Sequence, residues 1–97
     1  MELKLDHSLP LEFTFGQIHP NPFNSSVQLE FSLPAESFAK LTAYDITGRE
    51  VEVLMSQFRI AGNHTITWDA RELVTGVYLL KLEADNHSIT QKVTLLR

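Results

Sequence analysis

Short runs in which apolar and polar residues alternate one for one constrain this chain more than any other feature. In Val27-Gln28-Leu29-Glu30-Phe31-Ser32-Leu33 every odd position is apolar and every even one polar. Side chains alternate across a strand, so this spacing makes a strand with one buried face and cannot make an amphipathic helix. Ala39, Leu41 and Ala43 repeat the pattern against Lys40 and Thr42, and Ile66 and Trp68 repeat it against Thr65 and Thr67. Tyr78, Leu80 and Leu82 alternate with Lys81 and Glu83; in the last run Ile89, Val93 and Leu95 oppose Thr90, Lys92 and Thr94. Weaker strands are expected at residues 13–18 and 50–54. No stretch sustains a period of 3.6.

Turn signals part these runs. Pro34-Ala35-Glu36-Ser37, Asp45-Ile46-Thr47-Gly48, Ala61-Gly62-Asn63 and Asp85-Asn86-His87 supply proline, glycine, or asparagine and aspartate that bond their own backbone. One helical turn is expected at residues 70–74, with Asp69 as N-cap, Glu72 completing a capping box and Gly76 just past its end. About seven short strands in 97 residues make an all-β fold, an immunoglobulin-like antiparallel β-sandwich. The expected division is a lead-in at residues 1–12 and the sandwich at 13–97.

The stretch HPNPFNSS, residues 19–26, carries two prolines around one asparagine. Neither proline can donate to a ladder, so pairing should stop there and the chain leave one sheet in a fixed direction. Phe23 is then placed to plug the end of the sandwich.

Eight basic residues against twelve acidic ones give a net charge of -4. The basic residues are spread singly along the chain, whereas nucleic acid needs a clustered cationic face, so nucleic acid is not an expected partner. No apolar run nears the roughly 20 residues of a membrane-spanning helix. No basic-then-apolar segment opens the chain, so an export leader of the parent is expected outside this sequence. Cysteine is absent, which excludes disulfides and thiolate metal sites and leaves the redox compartment open.

Residue chemistry gives no expectation of catalysis, cofactor or metal. His7, His19, His64 and His87 form no H-x-H or H-x-x-x-H pair, and no D-x-D-x-D-G loop occurs among the acids. No G-x-S-x-G motif accompanies the serines. Trp68, Tyr44 and Tyr78 could form a sugar-stacking platform, but Trp68 and Tyr78 share parity with apolar residues and are expected inside. The N-x-S/T triplets at Asn24, Asn63 and Asn86 fall in turns, where asparagine is common anyway.

Five segments, HPNPFNSS, AYDITGREV, AGNHTITWDA, TGVYLLKLEA and the terminal KVTLLR, occur together in one order. In that order and spacing the chain resembles, over residues 16–97, the C-terminal sorting domain of type IX secretion cargo. The resemblance rests on Asn21, Pro22 and Phe23, on Asp45 and Gly48, on Trp68 and Asp69, and on Gly76 and Tyr78. The family's last strand, a lysine, an apolar run and a basic residue, is matched by Lys92, Val93, Leu95, Leu96 and Arg97, with Thr94 a departure. The same turn pattern is also similar to the immunoglobulin-like domain of flagellar hook-capping proteins.

The resemblance implies a module that directs a cargo protein through the type IX system to the bacterial surface, as the end of a longer exported protein. Implied partners are the outer-membrane secretion machinery, a sorting protease and a cargo domain N-terminal to this one. Rival readings are a structural assembly domain of the hook-capping type and a carbohydrate-binding or adhesive accessory module. Lys92 and Arg97 are expected in water, so that replacing both by alanine should barely alter stability.

Overall fold

The computed structural model describes residues 12–97. All but the last residue of the expected lead-in lies outside that range. Seven strands follow one another: β1 (Thr14–His19), β2 (Ser26–Leu33), β3 (Ser37–Asp45), β4 (Glu50–Arg59), β5 (Gly62–Asp69), β6 (Gly76–Ala84) and β7 (His87–Leu95). They form an antiparallel three-stranded sheet, β1-β2-β5, and an antiparallel four-stranded sheet, β4-β3-β6-β7. The protein is the all-β sandwich that the alternation implies.

The period-two pattern decides what lies between the sheets. Val27, Leu29, Phe31 and Leu33 of β2 face Ala39, Leu41 and Ala43 of β3, Leu80 and Leu82 of β6, and Val93 and Leu95 of β7, all within one buried cluster. Each fully buried leucine contributes roughly 1.5–3 kcal/mol, and a one-residue slip of any strand would turn its whole set to water. The register is therefore strongly specified. On one side the sheets are also tied by Gln91, whose amide donates to the Phe15 and Gly16 carbonyls at 2.8 and 2.7 Å.

β4 runs to Arg59, five residues beyond the expected strand. It is an edge strand with two irregularities: Leu41 pairs with Met55 but Thr42 with Val53, and Ala43 pairs with Glu52 but Tyr44 with Glu50. Leu54 and Val51 are thus extra residues, bulges that bend the edge away from further pairing. The irregularity is also why the sequence alternation of this segment is poor.

No helix forms among the described residues. Residues 70–73 close as a single turn, with the Leu73 amide donating to the Ala70 carbonyl at 3.0 Å. The expected capping box fails because the Asp69 carboxylate takes the Arg71 amide at 3.1 Å, two residues on, and the Arg71 guanidinium as well. That local ring bends the backbone into an Asx-type turn, which competes with a helix start. Gly76, rather than ending a helix, opens β6 opposite Leu95.

Candidate recognition site at one end of the sandwich

β1, β3, β5 and β7 end, and β2, β4 and β6 begin, at the same end of the sandwich, as the strand register requires. The five sequence segments therefore meet there, although Asn21 of the first and Thr94 of the last lie 73 residues apart.

The proline stretch does more than stop a ladder. The His19–Pro20 and Asn21–Pro22 peptide bonds are both cis. β1 ends at His19, directly before them, as expected, and pairing resumes at Phe23 on the other sheet. The Phe23 amide donates to the Thr94 carbonyl at 2.9 Å, and the Leu96 amide donates to the Phe23 carbonyl at 2.8 Å. Asn21 uses both ends of its amide on the same strand: its Oδ1 accepts from the Thr94 amide at 3.1 Å, and its Nδ2 donates to the Lys92 carbonyl at 3.4 Å. The outer edge of β7, from Lys92 to Leu96, is thereby covered.

Beneath this strap sits a chain of aromatic rings. Phe23 is buried and lies against Trp68, with ring centroids 5.7 Å apart; Trp68 meets Tyr78 edge-on at 6.0 Å. Each polar handle finds a partner, as buried rings of this kind require. The Trp68 indole donates to Glu52 at 3.1 Å, and the Tyr78 hydroxyl donates to the Val74 carbonyl at 2.6 Å. With Trp68 1% and Tyr78 4% exposed, the two rings cannot serve as a sugar-stacking platform.

Asp45 closes the β3–β4 turn. Its Oδ1 accepts from the Thr47 hydroxyl, the Thr47 amide and the Arg49 amide at 2.6, 2.9 and 3.0 Å. The Thr47 hydroxyl foremost, then the Arg49 amide, hold its carboxyl below the usual carboxylate range. Gly48 completes the turn at φ +92°, where a side chain is strained. The Arg71 guanidinium lowers the Asp69 carboxyl in the same way.

The terminal segment divides in two. Val93 and Leu95 are fully buried, so they belong to the core; Lys92 and Leu96 face outward. Arg97 is exposed, as expected, but it is not free. Its Nη1 donates to the Leu73 carbonyl at 2.6 Å and to the Ala70 carbonyl at 3.3 Å, while its amide donates to the Thr75 hydroxyl at 3.1 Å. Arg97 thus clips the β5–β6 turn to the end of β7. Sequence reasoning missed this because the partners are backbone carbonyls, which no residue pattern marks.

Among the described residues no three His, Cys, Asp or Glu side chains gather as a metal cluster, and no helix is long and apolar enough to cross a membrane. A strapped edge strand over an aromatic plug defines a folded sandwich whose last strand is held by the rest of the chain. The family description "Secretion system C-terminal sorting domain" matches residues 17–95, and the chain belongs to that family. Comparison with curated proteins and with solved structures gave no match. Membership makes the chain a type IX secretion sorting domain, attached to a cargo protein that it marks for export to the cell surface or beyond.

Proposed function

We propose that this domain is a non-catalytic address read in its folded state by the outer-membrane secretion machinery, and that a sorting protease then separates it from a cargo domain N-terminal to it. The observation that supports this is the strapping of the terminal segment. Of Lys92, Val93, Leu95, Leu96 and Arg97, two are core residues, Arg97 is exposed but tied down as a clip, and Lys92 and Leu96 are presented outward. A receptor that bound the segment as a loose tail would have to break the Asn21 and Phe23 bonds and extract Val93 and Leu95 from the core. A receptor that reads the folded surface meets no such cost.

The test fuses the full 97-residue chain behind a periplasm-directed reporter in a host with a type IX system. The expected result is reporter at the surface or in the medium, with the domain removed. Retention of the fusion in the periplasm at the level of the bare reporter would overturn the proposal. To separate folded reading from tail reading, Phe23→Ala removes the ring that seats the strap against Trp68 and leaves residues 92–97 intact. Export should fall with it; undiminished export would favour a tail-reading receptor.

A further inference from the structure

The lysines that look isolated in the sequence are brought into line by the register of the four-stranded sheet. On its outer face Lys92 of β7 is paired with Leu79 of β6, and Lys81 lies two residues along β6. Lys81 is paired with Thr42 of β3, and Lys40 lies two residues along β3. Lys40 is in turn paired with Ser56 of β4, and Phe58 lies two residues on. Diagonal neighbours of this kind are about 7–8 Å apart. Three ammonium groups therefore run corner to corner across three strands and end at an aromatic on the fourth.

That aromatic is one of a pair. Phe38 and Phe58 meet edge-on with centroids 5.3 Å apart, yet remain 46% and 68% exposed. On the side of the diagonal away from Phe38 the face carries Tyr44, Leu79 and Val53. Its strand carboxylates are Glu83, which pairs with Lys81 at 3.7 Å, and Glu50, at the far end of the Lys92 row. The outer face of the other sheet is different in kind. Ser26, Gln28, Glu30, Thr65, Thr67 and Asp69 lie on it, polar or acidic, and the described strands β1, β2 and β5 hold no lysine or arginine; Arg71, in the turn after β5, pairs with Asp69. A chain of net charge -4 thus sets all the lysines of its described residues on one face.

We propose that the outer face of β4-β3-β6-β7 is a docking surface for an acidic protein face, with Lys40, Lys81 and Lys92 as the steering charges and Phe38 and Phe58 as the apolar anchor. This rests on the sorting reading and names the surface through which the export machinery would engage the domain. Strand spacing and residue rise make the face about 20 Å on a side, or roughly 400 Å². That is about half of the ~800 Å² that each partner contributes to a stable interface. The contact is therefore brief, as a cargo that must be released requires. Spaced lysines raise the encounter rate, and exposed aromatics hold the docked state. A protein partner is favoured over a lipid surface because a bilayer would draw on a broad cationic surface, whereas here the cations form one line that ends in a paired aromatic anchor.

The experiment uses the same full-chain fusion in the type IX host. One variant carries Lys40→Gln, Lys81→Gln and Lys92→Gln. A control carries Gln28→Glu, Thr65→Glu and Thr67→Glu on the opposite face, which shifts net charge by the same amount. A third carries Phe38→Ser and Phe58→Ser. All three should keep cooperative thermal unfolding. The lysine variant should be exported at least roughly tenfold more slowly, as loss of steering predicts, and the control at the wild-type rate. The double serine variant should be slowed as well. A photo-crosslinking residue in place of Tyr44 should trap an outer-membrane protein during export. Equal rates for a folded lysine variant and wild type would overturn the proposal while leaving the sorting reading intact. Failure of the wild-type fusion to be exported would sink both. Binding of the wild type, but not the lysine variant, to anionic lipid vesicles, with no protein crosslink, would make the partner a lipid surface and also overturn it.

Discussion

Removing the Arg97 side chain separates the two halves of the terminal segment. In Arg97→Ala two guanidinium bonds are lost, to the Leu73 and Ala70 carbonyls, while the amide bond to the Thr75 hydroxyl survives. Hydrogen bonds from charged donors contribute about 1.5–3 kcal/mol each at most. Water can replace the donor at the exposed Leu73 carbonyl, and freeing the arginine recovers up to about 2 kcal/mol of side-chain entropy. A net loss of about 1–2 kcal/mol remains. For a domain this size each 1 kcal/mol moves the midpoint by about 4–8 °C, so Tm should fall by about 5–15 °C. Lys92→Ala, which removes an outward side chain, should cost under about 0.5 kcal/mol. Arg97→Lys should recover only part of the loss, because one ammonium replaces a planar fork. Hydrogen exchange should localise the damage to the Leu73 amide and its turn. An Arg97→Ala melt within about 0.5 kcal/mol of wild type would show that the clip contributes nothing to stability.

Trp68→Ala removes the ring between Phe23 and Tyr78 and should cost about 3–5 kcal/mol or more, much of the stability of a domain this small; urea unfolding checks it, and a loss under about 1 kcal/mol would refute the plug. Gly48→Val forces a β-branched residue to φ +92° in a turn where no neighbouring atom blocks a side chain, so the whole penalty is backbone strain, and thermal unfolding should show a drop of several degrees. Thr42→Val should stabilise the domain by up to about 1 kcal/mol in denaturant titration, because its hydroxyl is fully buried without a partner. Asp45 has a folded pKa below its ordinary 3.8, so its contribution is complete above that value and is lost as pH falls through the lower folded value. Asp45→Asn should thus be less stable than wild type at neutral pH, with the gap closing as melts are taken below pH 3.8.

What the sequence determined by itself was the set of contacts that a local period can encode. Alternation in residues 27–33 names the buried face of β2 before any partner is known, because a strand turns every second residue to the same face. Asp45 and Gly48 declare their turn because both the acceptor and the positive φ lie within four residues. The five family segments were likewise legible, each as a turn or strand of its own. Their meeting at one end was decided only by the fold, since the packing of the two sheets and the parallel bridge of Phe23 to Leu95 bring Asn21 to Thr94 and Trp68 to Phe23. The helix expected after Asp69 failed for the same reason: its side chain could bond forward by two residues or by three, and the choice was made where Arg97 and Ser25 hold the turn. Lys40, Lys81 and Lys92 are 41 and 11 residues apart and show no pattern along the chain. Strand order β4-β3-β6-β7 sets them on one diagonal, because in a sheet the neighbour of a side chain is fixed by hydrogen-bond register and not by distance along the backbone.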